Sequence, residues 1–285
     1  VEKLAIIGVG LIGGSLGLAV KERELAAEVI GIGYREESLR KAREKGAVDW
    51  TTTELSRGLP EAKMAILATP IGVMKDIARR MLPFIASDCI ISDVGSVKLP
   101  VVEELEQIFS PRGYFVGAHP MAGSEKRGVE MASSQLFQGA TCVLTPTHRT
   151  FPPALQSVRS LWEGVGARTL LMSVDKHDYL VAAISHLPHL LAVSLVNLSE
   201  EIGVSEPDLF SLAAGGFRDT TRIASGLPYM WQEIFLSNRD KILEMMKRFH
   251  CRWDQLEKIL EQGDGENLLQ TLIRAKTTRD RIFRE

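Results

Sequence analysis

The most restrictive feature of the chain lies near its start. Lys3-Leu4-Ala5-Ile6-Ile7 is a short apolar run, Gly8-Val9-Gly10-Leu11-Ile12-Gly13-Gly14-Ser15 follows it, and Leu16, Leu18, Ala19 and Val20 continue at helical spacing. The order is strand, tight turn, helix. Glycines at 8, 10 and 13 give GxGxxG: one for the turn, one for close approach of backbone to a pyrophosphate, one for close helix packing. The helix start aims its unpaired N–H groups at the phosphates. Glycine-rich turns are common, but here the flanking strand and helix are both present, which is the context the motif requires. Gly8, Gly10, Leu11, Ile12 and Gly13 are therefore expected to cradle a dinucleotide.

The unit then repeats. Residues 28–33 read as a second strand, followed by Tyr34-Arg35 and a helix through Leu39 and Ala42. NAD sites place an acid at the end of this strand, on the ribose 2′-hydroxyl. Here Gly33 holds the position with Arg35 beside it. A missing carboxylate and a nearby cation favour NADP, although Arg35 also reads as a solvated helix-start residue, and the choice between NAD and NADP stays open. Strand-like runs at 63–68, 88–92 and 114–117 alternate with amphipathic segments at 72–82 and 99–109, and runs at 140–145 and 168–174 flank one more helix. Alternation of this kind predicts a parallel, doubly wound sheet with ligands outside the carboxyl ends of its strands. Thr69, Pro70, Asp93, Ser96 and His119 all follow such ends, on one edge with the glycine turn. Thr69, Pro70 and Asp93 are assigned to the cofactor. The stretch from Gly117 to Lys126, interrupted by Pro120 and Gly123, reads as loop. A lone loop histidine is ordinarily without function; the shared edge takes His119 out of that class.

From Val174 onward the strand signals vanish. Two domains are expected, residues 1–173 binding a dinucleotide and 174–285 all helical. Asp175 is a candidate N-cap for a long apolar helix that Gly203 stops. Within it, His186 and His189 are three apart and share a face, while Pro188 should free the carbonyl of Ile184. A helix starting at Ser205-Glu206-Pro207-Asp208 stops at Gly215-Gly216. Arg218 and Arg222 are then four apart, with Asp219 able to orient one of them; the pair reads as a solvated face or as a carboxylate clamp. Met230-Trp231 opens a helix to about Leu260, in which Trp231 walls a pocket or fills core. The narrow polar stripe here suggests a subunit interface.

Composition excludes other classes. At 285 residues the chain can bury two cores, and a net charge of −2 argues against a nucleic-acid partner. Cys89, Cys142 and Cys251 lie far apart without CxxC spacing, which suits reduced thiols in the cytoplasm and offers no metal framework. Five glycines interrupt the apolar stretch from Leu4 to Val20, so it reads neither as a signal sequence nor as a membrane span. A small-molecule substrate is expected, with no nucleic acid and no membrane.

Taken together, GVGLIGGS at 8–15, ATP at 68–70, DVGSVK at 93–98, GAHPMAGSEKRG at 117–128, SHLPH at 185–189 and GGFRDTTRIA at 215–224 resemble the prephenate and arogenate dehydrogenases of tyrosine biosynthesis. The resemblance covers nearly the whole chain, in order. It implies an α/β fold, a Rossmann-type doubly wound sheet followed by an all-α domain as in the 6-phosphogluconate dehydrogenase-like group. It also implies NAD(P)-dependent oxidative decarboxylation, no metal, and a homodimer joined through the helical domain. Position by position, it makes His119 the catalytic base and Ser96 the residue that orients it and the ring hydroxyl. It places Arg222 on the ring carboxylate and His189 near the substrate's side chain, with His186, Glu125, Arg218, Asp219 and Trp231 in the surrounding network. Gly33 departs from NAD-preferring relatives, which carry an acid there. A 3-hydroxyacid dehydrogenase of the same wider group would need a lysine on the first interdomain helix, and residues 179–203 contain none. A non-catalytic dinucleotide-binding redox sensor would have no use for His119, Ser96 and Arg222 together.

Overall fold

The computed structural model describes residues 1–123 and 128–283. Eight strands form one sheet: β1 (Lys3–Ile7), β2 (Glu28–Ile32), β3 (Trp50–Thr52), β4 (Met64–Leu67), β5 (Cys89–Asp93), β6 (Gly113–Pro120), β7 (Thr141–Thr145) and β8 (Arg168–Leu171). Their order is β3-β2-β1-β4-β5-β6-β7-β8. The apolar runs are buried on both faces, and side chains alternate between them. Leu4 and Ile6 of β1 pack with Met64 and Ile66 of β4 in one core. Ala5 and Ile7 pack with Ala65 and Leu67 in the other. The helix Leu11–Glu22 buries Leu16, Ala19 and Val20, each large apolar side chain contributing about 1.5–3 kcal/mol.

The parallel expectation holds from β3 through β6, and β7 departs from it by pairing antiparallel to β6. Between them the described residues carry only the short 3-10 turn Val129–Met131, whereas a parallel return needs a crossover, usually a helix. β6 is also longer than expected. His119 and Pro120 are strand residues, paired with Val143 and Cys142, rather than part of a loop.

The helix Val174–Val181 passes through a π-helical turn, Ala182–His186, into the helix Leu187–Ser205. The wider turn absorbs the disruption expected at Pro188. Ser173, not Asp175, is the N-cap, its side chain accepting from Lys176 N. By length and composition this run could cross a membrane, but His177, Asp178, His186 and His189 on it are buried in the protein. A 3-10 helix, Pro207–Leu212, and the helices Gly215–Thr221 and Pro228–Ser237 follow, so Gly215 begins a helix rather than ending one. The long helix expected from Met230 breaks at Asn238, whose amide turns inward.

By contacts, the chain divides into Val1–Asn238 and Arg239–Glu285. In the second unit the helices Arg239–Glu261 and Gly265–Ile282 meet at Gly263, whose φ of +62° suits glycine. Asp264 caps the last helix by accepting from Asn267 N at 3.1 Å.

Candidate active site

The glycine turn has the form that the sequence predicts, and each glycine has its own cause. Gly8 sits at φ +96°, and a Cβ there would meet Ala68 O at 2.5 Å. A Cβ on Gly13 would meet Gly8 O at 2.2 Å, which makes this the packing glycine. At Gly10 a Cβ would touch no protein atom within 4 Å, so packing does not require glycine there, and the absence of a Cβ leaves the backbone open to close approach by a ligand. The helix Leu11–Glu22 has no side-chain cap and no acid in its first turn, leaving its N–H groups for an anion. Thr69 Oγ1 is buried without a partner. Gly8, Gly10, Gly33, Arg35, Thr69 and Pro70 line one cleft of about 270 Å³, which Ser38 and Arg80 also line. Leu11, Ile12 and Gly13 form the adjoining first helical turn. These residues fit a dinucleotide.

Asp93 does not belong to that cradle. It is fully buried and ion-paired with the equally buried Lys98. Asp93 Oδ1 accepts from Ala118 N at 3.1 Å, and Oδ2 accepts from Gly95 N at 2.8 Å. Lys98 Nζ donates to Ala118 O at 2.8 Å. The last residue pair between β5 and β6 is Ser92 with Val116, so the two side chains take over where the ladder ends and fix the backbone next to His119. The assignment of Asp93 to the cofactor is corrected accordingly: it is an internal brace.

His119 Nδ1 lies 2.8 Å from His177 Nε2, and His177 Nδ1 lies 2.7 Å from Asp178 Oδ1. Asp178 also accepts from Lys98 N and Leu99 N, both at 2.8 Å, and so caps the helix Leu99–Phe109. Its backbone oxygen accepts from Asn238 Nδ2 at 2.8 Å, and the same amide nitrogen is 3.1 Å from His186 Nδ1. Sequence reasoning gave Ser96 the role of orienting His119 and the hydroxyl; the partner on His119 Nδ1 is His177. His177, Asp178, Lys98 and Asn238 were not anticipated. The helix that carries the first two, Val174–Val181, also holds Asp175 and Lys176, so polarity alone did not single them out.

Burial holds His119 well below the ordinary histidine pKa of 6.5, with His177, Lys98 and His186 adding to the effect. Burial likewise lowers His186 to about 4, against an opposing pull from Asp178, and lowers His189. All three are neutral near pH 7, so the histidines supply hydrogen-bonding dipoles rather than cations. His189 stacks on the half-buried Trp231 with ring centroids 3.6 Å apart, and its buried Nδ1 has no partner. A Cβ at Gly226 would meet Trp231 Nε1 at 2.4 Å and His189 Cε1 at 3.0 Å, so glycine is what lets this ring pair form. Trp231 is thus joined to a predicted site residue.

The arginines, unlike this buried network, are exposed. Arg218 and Asp219 are exposed and 3.6 Å apart, a pairing worth little in water. Arg222 is exposed on the 3-10 turn Arg222–Ser225, beyond the end of the helix that carries Arg218. Glu125 lies outside the described residues.

Residues 16–171 match the family described as prephenate dehydrogenase, nucleotide-binding domain, and residues 173–274 match prephenate dehydrogenase, dimerization domain. The chain belongs to the prephenate dehydrogenase family. It is an NAD(P)-dependent oxidoreductase by that membership. Among members of the family, the prephenate dehydrogenase of Bacillus subtilis is 38% identical over 98% of this chain and 76% of its own length. The cyclohexadienyl dehydrogenase of Zymomonas mobilis is 34% identical over 94% and 92%. The structure of Aquifex aeolicus prephenate dehydrogenase in complex with hydroxyphenyl propionate and NAD+ aligns with TM-score 0.94 at 34% identity, covering 99% of this chain and 98% of that one. A Mycobacterium tuberculosis 3-hydroxyisobutyrate dehydrogenase is similar at TM-score 0.53 and 14% identity over 74% of this chain and 69% of that one, a likeness of fold alone.

Proposed function

We propose that the chain oxidises prephenate, or arogenate, with NAD(P)+ and releases the ring carboxyl as CO2, giving 4-hydroxyphenylpyruvate or tyrosine. The observation that carries this reading is His119, a buried and neutral imidazole on the sheet edge that also bears the glycine turn. When bound, the dinucleotide supplies the hydride acceptor; Gly8, Gly10 and Thr69 would hold it. His119 accepts the proton of the ring hydroxyl as hydride leaves the same carbon. The resulting ketone draws the C–CO2 bonding electrons into the ring, CO2 departs, and the aromatised oxygen takes its proton back from His119. The proton is lent, so none is released overall. Ser96 orients the hydroxyl, Arg222 holds the ring carboxylate, and His189 with Trp231 faces the substrate's side chain. His186, Arg218, Asp219 and Glu125 complete the surroundings.

Carboxyl-labelled prephenate and arogenate test this directly, with one labelled CO2 expected per dinucleotide reduced. Reduction without CO2 would indicate simple hydroxyacid oxidation. No turnover of either substrate would favour the redox sensor.

Within this reading NADP+ is the preferred cofactor. Gly33 offers no carboxylate to repel a 2′-phosphate, and Arg35, Ser38 and Arg80 line the same cleft. A charge-assisted hydrogen bond contributes about 1.5–3 kcal/mol, so Arg35→Ala is expected to lower kcat/KM for NADP+ by about tenfold or more. The value for NAD+ should stay within about twofold; equal losses for both cofactors would contradict the preference.

The matched dimerization domain supports a homodimer, as do the exposed Leu198, Ile202, Phe210 and Leu212. Three free cysteines support a cytoplasmic location.

A further inference from the structure

We propose that Asp178, acting through His177, is the positioning residue that sets the tautomer of His119 and thereby makes Nε2 its proton-accepting atom. The catalytic consequence rests on the role given to His119 above, whereas the geometry does not. Two backbone N–H groups, Lys98 N and Leu99 N, donate to the Asp178 carboxylate, and a backbone amide cannot reverse its role. The carboxylate therefore accepts from His177 as well, and His177 carries its hydrogen on Nδ1. With its hydrogen on Nδ1, the His177 imidazole presents the Nε2 lone pair, 2.8 Å from His119 Nδ1. His119 must donate there, which leaves its own Nε2 as the lone pair.

Two anchors hold the chain of rings in this sense. Asp178 is tied by its side chain to the first turn of the helix Leu99–Phe109 and by its backbone oxygen to Asn238. His177 and Asp178 are each 1% exposed, so bulk water does not compete for these bonds. When His119 takes up a proton, Nδ1–H stays on His177 and the carboxylate beyond offsets the new charge. The logic is that of a buried acid orienting a catalytic imidazole.

The test is nitrogen NMR of protein labelled with 15N-histidine, in which one-bond and multiple-bond couplings distinguish protonated from bare ring nitrogens. The chain has six histidines, and single substitutions assign them. The wild-type protein should show His119 protonated at Nδ1 and bare at Nε2 near pH 7. Asp178→Asn should move His119 toward the opposite tautomer and lower kcat by about 10²–10⁴-fold, as losing the tautomer-setting acid does in such relays, with substrate KM nearly unchanged. If Asp178→Asn fails to fold, His177→Leu should mix the tautomers and lower kcat. His177→Gln, whose carbonyl can accept from His119 while its amide donates to Asp178, should restore at least tenfold of that loss, a bound set by the same relay logic. A wild-type His119 protonated at Nε2 would overturn the proposal, as would a variant that keeps both tautomer and kcat. If the wild-type protein turned over neither substrate, the functional reading would fall, and the tautomer would still be decided.

Discussion

His119→Asn is expected to lower kcat by about 10³-fold or more, in the range for removal of a positioned general base, while the protein stays folded and binds dinucleotide normally. Asparagine removes the titrating lone pair but keeps an N–H that can donate toward His177 Nε2, so no buried acceptor is orphaned. The backbone of β6 at this position is held from both sides, by β7 and by the Asp93–Lys98 brace at Ala118. The loss should therefore appear in kcat with little change in unfolding midpoint or in dinucleotide affinity by fluorescence titration. Retained turnover would remove His119 from the mechanism.

The largest stability effect is expected at Lys98. Lys98→Met would leave the Asp93 carboxylate fully buried with only Gly95 N and Ala118 N as donors, and would orphan Ala118 O. Removing one partner of a buried pair costs about 3–5 kcal/mol, a large share of the roughly 5–15 kcal/mol that stabilises a folded domain. Equilibrium denaturation should show this as a lower midpoint. Adding Asp93→Asn should recover part of the loss, because the stranded charge is then gone; a double variant less stable than Lys98→Met would contradict the brace.

Much of the fold was legible because it depends on short-range pattern. The run Leu4 to Ile7 had to be a strand buried on both faces, and three glycines at fixed spacing had to be a turn against a helix. What escaped depends on pairing partners and direction. β3 is three residues long at a sheet edge and has too little apolar pattern to register. The reversal at β7 follows from a connection without a crossover helix, which apolar periodicity does not encode. His119 was found as a residue but placed in a loop, since Pro120 and Gly123 mask a strand whose last residues pair with β7 on one side and are secured by side chains on the other. Asp93 was misassigned although alternation could have corrected it: Cys89 and Ile91, four and two residues earlier, face the core. His177 and Asp178 become legible only once the helix that bears them is docked against β6. Their bonds join segments some 58 to 80 positions apart.

In the proposed mechanism His119 works as a neutral base whose proton affinity is lowered by burial. The pH dependence of kcat/KM reports essential groups in the free enzyme, and with prephenate it can be followed at 340 nm as reduced dinucleotide forms. Because His119, His186 and His189 all lie below the ordinary 6.5, each is unprotonated at neutral pH, and His119 stays so until the pH falls well under that value. The predicted profile is flat from about pH 8 to 6.5, with an acid limb clearly below it. An acid limb at or above 6.5 would contradict that mechanism.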